Sequence, residues 1–201
     1  MFITFEGPEG SGKSTQIPVL ADFLRQRGYS VLTTREPGGT EIGEQIRGVI
    51  HDLKNTAMHP RTETLLYQAA RAQIVEQVIR PHLAAGGIVL CDRYADSTIA
   101  YQGYGHQQNL DEVRRLVGYA TEGLNPDVTL LLDLEVETGL GRKTDGEWNR
   151  LDAYAVEFHQ RVRGGYHQLA LEEPQRWVTI DASQTPEAVA EIICKNVIAR
   201  L

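Results

Sequence analysis

Residues 2–15 read FITFEGPEGSGKST, and this stretch decides the fold. Its second half, Gly7 to Ser14, matches the phosphate-binding pattern G-x-x-x-x-G-K-[ST]. A short apolar run precedes the pattern and a helical pattern follows it. Glycines allow successive backbone N–H groups to turn towards phosphate oxygens, and the helix N-terminus adds partial positive charge. The stretch therefore predicts a strand, a phosphate loop and a helix that together bind a nucleoside triphosphate.

Two side chains of the loop have predicted roles in binding that triphosphate. Lys13 is expected to reach the β- and γ-phosphates, and the Ser14 hydroxyl to ligate Mg²⁺. Asp92, at the end of a later apolar run, is the natural acid to lie near the metal, as a ligand or through water. Ser14 and Asp92 are therefore the predicted metal residues.

The rest of the chain alternates short apolar runs with longer helical patterns. The predicted strands cover 2–5, 31–33, 88–91, 128–132 and 177–180, and the predicted helices cover 13–27, 61–84, 110–123, 150–172 and 185–200. This alternation predicts an α/β fold with a mainly parallel sheet and helices on both faces. We expect one domain over residues 1–201, with a candidate mobile loop at Gly139–Asn149.

Composition and charge exclude several classes of protein. The 201 residues are 41% hydrophobic and 23% charged, as in ordinary globular proteins, and the net charge is −7. A nucleic acid polymer is not an expected partner, since binding one depends on a positive face. No apolar run reaches the ~20 residues of a membrane span, and the N-terminus has no secretory pattern. Cys91 and Cys194 lie in apolar context and are expected to be buried, reduced thiols of a cytoplasmic protein.

Other residues indicate where the γ-phosphate goes. The guanine-binding pattern N-K-x-D and a strand ending in Asp-Glu are both absent from the sequence, which favours transfer to an acceptor over hydrolysis. Arg35 and Arg93 each follow a predicted strand, at the edge where an open α/β sheet binds its ligands. Tyr67 and Arg71 share one face of a helix, where they could stack on a base and bond its edge. The alternative is a tyrosine at the edge of the core beside an exposed arginine.

At this point the sequence resembles the thymidylate kinase family, specifically its bacterial members with an acidic phosphate loop and a basic lid. The resemblance covers essentially the whole chain. It rests on FEGPEGSGKST at 5–15, TREPGGT at 34–40, LLYQAAR at 65–71, DRYADSTIAYQG at 92–103, NRLD at 149–152 and VTIDASQTPEAV at 178–189. Related nucleoside monophosphate kinases share the phosphate loop but not the pair formed by the second and fourth motifs.

The resemblance implies a P-loop kinase fold with a five-stranded parallel sheet, a homodimer, and transfer of phosphate from ATP to dTMP with Mg²⁺. It implies ATP contacts from Gly7, Pro8, Glu9, Gly10, Ser11, Gly12, Lys13, Ser14, Thr15 and Arg142, with adenine near Asp181-Ala182-Ser183. It implies dTMP contacts from Glu9, Arg35, Pro37, Tyr67, Arg71, Arg93, Ser97, Tyr101 and Gln102.

Individual roles also follow from the resemblance. Arg35 and Arg93 would hold the dTMP phosphate, Arg71 would read a thymine carbonyl, and Tyr67 would stack on the base. Tyr101, with Gln102 beside it, would crowd the 2′ position of the sugar. Glu9 would contact the 3′-hydroxyl or order the metal shell. The implied catalytic residues are Glu9, Lys13, Arg93 and Arg142.

The resemblance leaves the lid cation open. The lid, at about 139–150, carries Arg142, Lys143 and Arg150. Arg142 is the first choice for the γ-phosphate and Arg150 its main rival, since a lysine is a point charge without the planar donors of arginine. Two other classes also remain: a kinase for a different nucleotide or a nucleoside, and a nucleotide-binding module without turnover.

Overall fold

The computed structural model describes residues 1–142, 150–152 and 154–201, and at its centre lies a sheet of five parallel strands. Their order in space is β2-β3-β1-β4-β5. The strands are β1 (Phe2–Glu6), β2 (Val31–Arg35), β3 (Ile88–Asp92), β4 (Val128–Asp133) and β5 (Trp177–Asp181). The predicted parallel sheet is confirmed, and each strand runs one or two residues beyond its predicted end.

The added residues are polar and lie together at the carboxyl edge of the sheet. Arg35 is the register partner of Asp92, and Asp92 is also paired with Phe5 of β1. Asp133 is in turn the partner of Asp181. The sheet thus brings the strand-end side chains to one edge, as the parallel topology requires.

Helices cover both faces of the sheet. They are α1 (Lys13–Arg25), α2 (Glu41–His51), α3 (Pro60–Ile74), α4 (Arg80–Ala84), α5 (Ala95–Thr98), α6 (Leu110–Thr121), α7 (Val136–Gly141), α8 (Val156–Glu172) and α9 (Pro186–Ile198). A π-helical segment, Val75–Ile79, joins α3 to α4, and a second, Ile99–Gly105, continues α5. The five predicted helices are therefore present.

Some helix boundaries differ from the prediction. The helix predicted at 150–172 begins only at Val156, because Arg150 to Asp152 form a turn that buries their side chains. The sequence pattern also missed α2, the α5 region and α7. Glycines interrupt the pattern in α2 and α7, and the segment from α5 to Gly105 is buried on nearly all sides, so it lacks an amphipathic period.

Alternate side chains of each central strand enter two separate cores. Phe2 packs on the face covered by α2, α3, α6 and α8, whereas Ile3 and Phe5 pack against α1 and α9. Cys91 lies in the first core with an unpaired thiol, but Cys194 on α9 is partly exposed and not fully buried as expected. Within the described residues, no helix is long and apolar enough to cross a lipid bilayer.

Candidate active site

A cavity of about 510 Å³ opens at the carboxyl edge of the sheet. The phosphate loop forms one side of it, and residues from β2, α3 and the segment after β3 form the other. Most of the predicted site residues line it: Glu9, Gly10, Ser11, Gly12, Lys13, Ser14, Thr15, Arg35, Pro37, Tyr67, Arg71, Asp92, Arg93, Ser97, Tyr101, Gln102 and Arg142. Gly7 and Pro8 lie in the loop without lining the cavity.

The phosphate loop is tightly packed against α7. Gly10 has a φ of +67°, a conformation that favours glycine. A Cβ at Gly10 would collide with the carbonyl oxygen of Gly139, and one at Gly139 would collide with the carbonyl oxygen of Glu9. The start of the predicted lid therefore lies directly on the tip of the phosphate loop.

Lys13 is held beneath this loop. Its Nζ donates to the carbonyl oxygens of Gly7 (3.1 Å) and Pro8 (2.9 Å) and to Ser11 Oγ (3.2 Å). Burial, followed by the nearby charge of Arg93, lowers the pKa of Lys13 to about 8. A phosphate would replace weak carbonyl acceptors with a full negative charge, so the arrangement is suited to an anionic ligand.

Arg93 faces Lys13 across the loop. Its Nη1 donates to the same Gly7 oxygen (3.0 Å), and its Nη2 donates to Glu9 Oε1 (2.8 Å). The Tyr101 hydroxyl donates to that carboxylate oxygen as well (2.9 Å), and the Tyr101 ring lies 4.9 Å from the guanidinium carbon. Among the described residues, Nε–H and the second proton of Nη2 have no acceptor, so Arg93 retains donors for a ligand.

Arg71 presents the opposite case, although it lines the same cavity. It is 1% exposed, and four of its N–H groups donate to protein acceptors: Glu36 Oε2 from Nε, Gln68 Oε1 and Thr98 Oγ1 from Nη1, and the Tyr94 carbonyl from Nη2. Nη2 also lies 2.6 Å from Glu36 Oε2 as an ion pair. Tyr67 lies one helical turn earlier, is half-buried and lines the same cavity.

The cations on the β2 side include one that the sequence reasoning missed. Arg35 is exposed and pairs with Glu44 (3.0 Å), while Arg47 of α2 donates to the Pro37 carbonyl (2.9 Å) and also lines the cavity. His51 lines it too, and burial, followed by Arg47, lowers its pKa to about 4, so it is neutral at pH 7. Arg47 and His51 were missed because α2 itself was not predicted.

Other lining residues lay inside recognised motifs but were not singled out. They are Glu36, Thr98 and Leu151. Glu36 belongs to TREPGGT, Thr98 to DRYADSTIAYQG and Leu151 to NRLD, so the motifs themselves carried the available signal.

The residues proposed for Mg²⁺ suit a metal that is held mainly by phosphate. Asp92 and Ser14 both line the cavity, and the buried Asp92 Oδ1 has no hydrogen-bond partner among the described residues. The described chain holds no group of three His, Cys, Asp or Glu side chains able to bind a metal by themselves. An orphaned carboxylate oxygen and a hydroxyl are ligands that fit Mg²⁺ shared with a nucleotide.

A second acid at a strand end, Asp133, is already paired. Asp133, at the end of β4, accepts two hydrogen bonds from Arg163 (2.8 and 2.9 Å), and His167 Nε2 lies 3.1 Å from its Oδ1. Asp133 is therefore bound into a contact with α8, whereas Asp92 retains an oxygen for a ligand.

The two arginines of the lid differ completely in environment. Arg142 lines the cavity and donates from Nη1 to the carbonyl oxygens of Gly10 (3.3 Å) and Ala182 (3.4 Å). Arg150 is buried: it donates to the Ile50 carbonyl (3.0 Å) and forms an ion pair with Glu63. Lys143, the third candidate, lies outside the described residues, as does the rest of the predicted lid up to residue 149.

Glu63 is the centre of a buried polar cluster that the sequence did not reveal. Besides Arg150, it binds Gln102 Nε2 (2.8 Å) and His106 Nε2 (3.1 Å). Burial alone would raise the pKa of Glu63, but the hydrogen bonds from His106, Arg150 and Gln102 outweigh it and lower the pKa to about 2. Gln102, which lines the cavity, and Arg150, the last residue of the predicted lid, are therefore bound to the same carboxylate.

Comparisons with known proteins agree with this geometry. The family model described as thymidylate kinase matches residues 5–193. A thymidylate kinase of Roseiflexus castenholzii is 55% identical over 96% of this chain and 90% of its own length. One from Exiguobacterium is 50% identical over 100% of this chain and 95% of its own.

A solved structure extends the comparison to the fold. The crystal structure of thymidylate kinase from Ehrlichia chaffeensis has a TM-score of 0.80 and 34% identity, and the match covers 98% of each chain. The P-loop kinase fold expected from the sequence is confirmed by this match and by the parallel sheet. Sequence, family model and structure agree that the chain belongs to the thymidylate kinase family.

Proposed function

We propose that the protein transfers the γ-phosphate of ATP to dTMP, giving ADP and dTDP. One observation carries the proposal: Lys13 Nζ and Arg93 Nη1 donate to the same carbonyl oxygen, that of Gly7, at 3.1 and 3.0 Å. Lys13, a cation suited to the phosphates of ATP, thus meets Arg93, which retains N–H groups for the phosphate of the acceptor. Membership of the thymidylate kinase family supports dTMP as the acceptor.

The chemistry needs positioning and charge neutralisation more than covalent help. Phosphoryl transfer passes through a loose transition state with charge on the peripheral oxygens. The attacking oxygen of dTMP is already a phosphate anion, so no general base is required. Lys13 would neutralise charge between the β- and γ-phosphates, and Arg93 would hold the acceptor phosphate in line. Ser14 and Asp92 would hold Mg²⁺, which neutralises further phosphate charge when bound.

The other cavity residues are proposed to select and hold the nucleotides. Arg35 would join Arg93 at the dTMP phosphate, and Tyr67 would stack on thymine. An Arg71 contact with a thymine carbonyl would come from a guanidinium whose three nitrogens each already donate to the protein. Tyr101 would exclude a 2′-hydroxyl and Gln102 would lie beside it.

Arg142 is the proposed cation for the γ-phosphate. Its guanidinium already lies against Gly10 of the phosphate loop, whereas Arg150 is committed to Glu63 in the interior. A planar guanidinium at the transferred group can neutralise charge over several oxygens at once. The two positions support Arg142 as the catalytic residue and Arg150 as a structural one.

We also propose a homodimer in the cytoplasm. Apolar side chains are exposed on three helices of one layer, where α3 packs against both α2 and α6: Ile42, Val49, Leu65, Leu116 and Tyr119. Exposed apolar clusters of this kind mark protein interfaces. Sedimentation equilibrium should give twice the 22.4 kDa chain mass.

The unpaired thiols of Cys91 and Cys194 support a reducing compartment.

A coupled assay of ADP production tests the activity. We expect ADP to form from ATP and Mg²⁺ with dTMP present, and only slowly without it. Thymidine should not replace dTMP, because the acceptor side is built from cations that need a phosphate. Equal rates with and without dTMP would indicate an ATPase, and no turnover with any nucleotide would indicate a binding module.

A further inference from the structure

Glu6, the last residue of β1, is a buried carboxylate that the mechanism above does not use. It is fully buried, and three donors converge on it: the Tyr94 N–H reaches Oε1 (2.8 Å), while Ser97 Oγ (2.5 Å) and Tyr166 Oη (2.9 Å) reach Oε2. Burial, followed by the charge of Asp96, raises the pKa of Glu6 to about 7. The hydrogen bonds from Ser97 and Tyr166 and the charge of Arg93 act in the opposite direction and favour the charged form.

The first of these contacts fixes the backbone at Arg93. Arg93 has a φ of +62°, in the left-handed region that is unfavourable for a residue other than glycine. Its own N–H donates to the Phe5 carbonyl (2.9 Å), and the next N–H, that of Tyr94, donates to Glu6 Oε1. The last two residues of β1 thus hold the peptides on both sides of Arg93.

The other two contacts fix its side chain. The hydroxyls of Ser97 and Tyr166 lie 2.8 Å from each other, and both are within hydrogen-bond distance of Glu6 Oε2. A hydroxyl that donates its proton to the carboxylate keeps lone pairs that can accept from Arg93. Arg93 Nη1 lies 3.0 Å from Tyr166 Oη and 3.3 Å from Ser97 Oγ. A carboxylate that accepts both protons therefore sets the direction of both hydroxyl contacts with the guanidinium.

We propose that Glu6 is the positioning residue of Arg93, holding its backbone through Oε1 and its guanidinium through the hydroxyls of Ser97 and Tyr166. Glu6 touches no substrate itself. The proposal rests on the proposed function, in which Arg93 binds the acceptor phosphate. In this proposal the end of β1 has two roles. It leads directly into the phosphate loop, and through Glu6 it aligns the phosphate of the acceptor.

Glu6→Gln is the direct test. The glutamine keeps its size and an oxygen for the Tyr94 N–H, but its amide donates to the hydroxyls that Glu6 accepts from. The hydroxyl protons would then point towards Arg93 Nη1, which is itself a donor, and the contact would become repulsive. We expect kcat/KM for dTMP to fall about 10- to 100-fold, as for a misplacement of about 1 Å, with KM for ATP unchanged.

Tyr166→Phe keeps the test decisive if Glu6→Gln fails to fold, because it removes one hydroxyl and leaves Glu6 in place. It should lower kcat/KM for dTMP in the same direction and spare KM for ATP. Asp133→Asn is the control. Asp133 is an acid at the end of β4 that is paired with Arg163 (2.8 Å) and does not line the cavity, so its loss should lower the unfolding temperature without changing the dTMP parameters.

A double substitution separates positioning from a general structural effect. In an Arg93→Ala background, Glu6→Gln should cause little further loss, whereas an additive loss would overturn the proposal. Wild-type kinetics in both Glu6→Gln and Tyr166→Phe would overturn it as well. If the proposed function is itself wrong, the unmodified protein will show no dTMP-dependent ADP production, a result distinct from either of these.

Discussion

Replacing Glu63 with glutamine should destabilise the protein by an amount that depends on pH. The pKa of Glu63 is about 2, against an ordinary value of 4.5, and the residue is fully buried. That difference is worth about 3 kcal/mol at about 1.4 kcal/mol per pKa unit. The folded-state pKa is lowered, so this stability is fully present above pH 4.5 and is lost as pH falls towards 2. Glutamine cannot ionise and has no such contribution to lose.

The assay is urea unfolding of wild type and Glu63→Gln, followed by circular dichroism at several pH values between 7 and 3. We expect the variant to be less stable by at least about 3 kcal/mol at pH 7 and the gap to narrow by about that amount as the pH falls below 4.5 towards 2. Removing one partner of a buried ion pair leaves Arg150 unpaired, which adds a penalty independent of pH. A gap that stays constant from pH 7 to 3, or no gap at all, would refute the assignment of Glu63 as a paired carboxylate.

Four further experiments test the site. Lys13→Ala should lower kcat about 10²–10³-fold in the folded protein, and near-normal turnover would contradict its role. Arg93→Ala should weaken dTMP binding far more than ATP binding in calorimetry, and the reverse order would assign Arg93 to the donor nucleotide. If Arg71 donates to a thymine carbonyl, dCMP should react far more slowly than dTMP, since an unpaired buried donor costs about 1–3 kcal/mol; comparable kcat/KM values would reject this. Arg142→Ala should lower kcat about 10³-fold and spare dTMP affinity, whereas Arg150→Ala should mainly lower the unfolding temperature; the opposite pattern would make Arg150 the catalytic cation.

Sequence patterns located the sheet well because strands buried on both faces are continuous apolar runs. They located helices less well where glycines or complete burial hide the helical period, as in α2 and α5. The consequence for the site is specific: Arg47 and His51 lie on α2, so their place in the cavity could not be foreseen without that helix.

The phosphate loop and the family motifs were determined by the sequence itself, because each is a short contiguous pattern whose function depends on local backbone geometry. The loop from Gly7 to Ser14 needs only a strand before it and a helix after it. The same holds for Arg35 and Arg93, since residues that follow parallel strands reach the same edge of the sheet.

Only the tertiary structure decided which charges are free and which are committed. Arg142 and Arg150 look alike in the sequence, but Arg150 is paired with Glu63, 87 positions away. Glu6 meets Tyr166 across 160 positions. The burial of an ionic group, and the partner that compensates for it, depend on contacts between distant segments. No local pattern encodes such contacts, and they separate a guanidinium that can bind phosphate from one that stabilises the core.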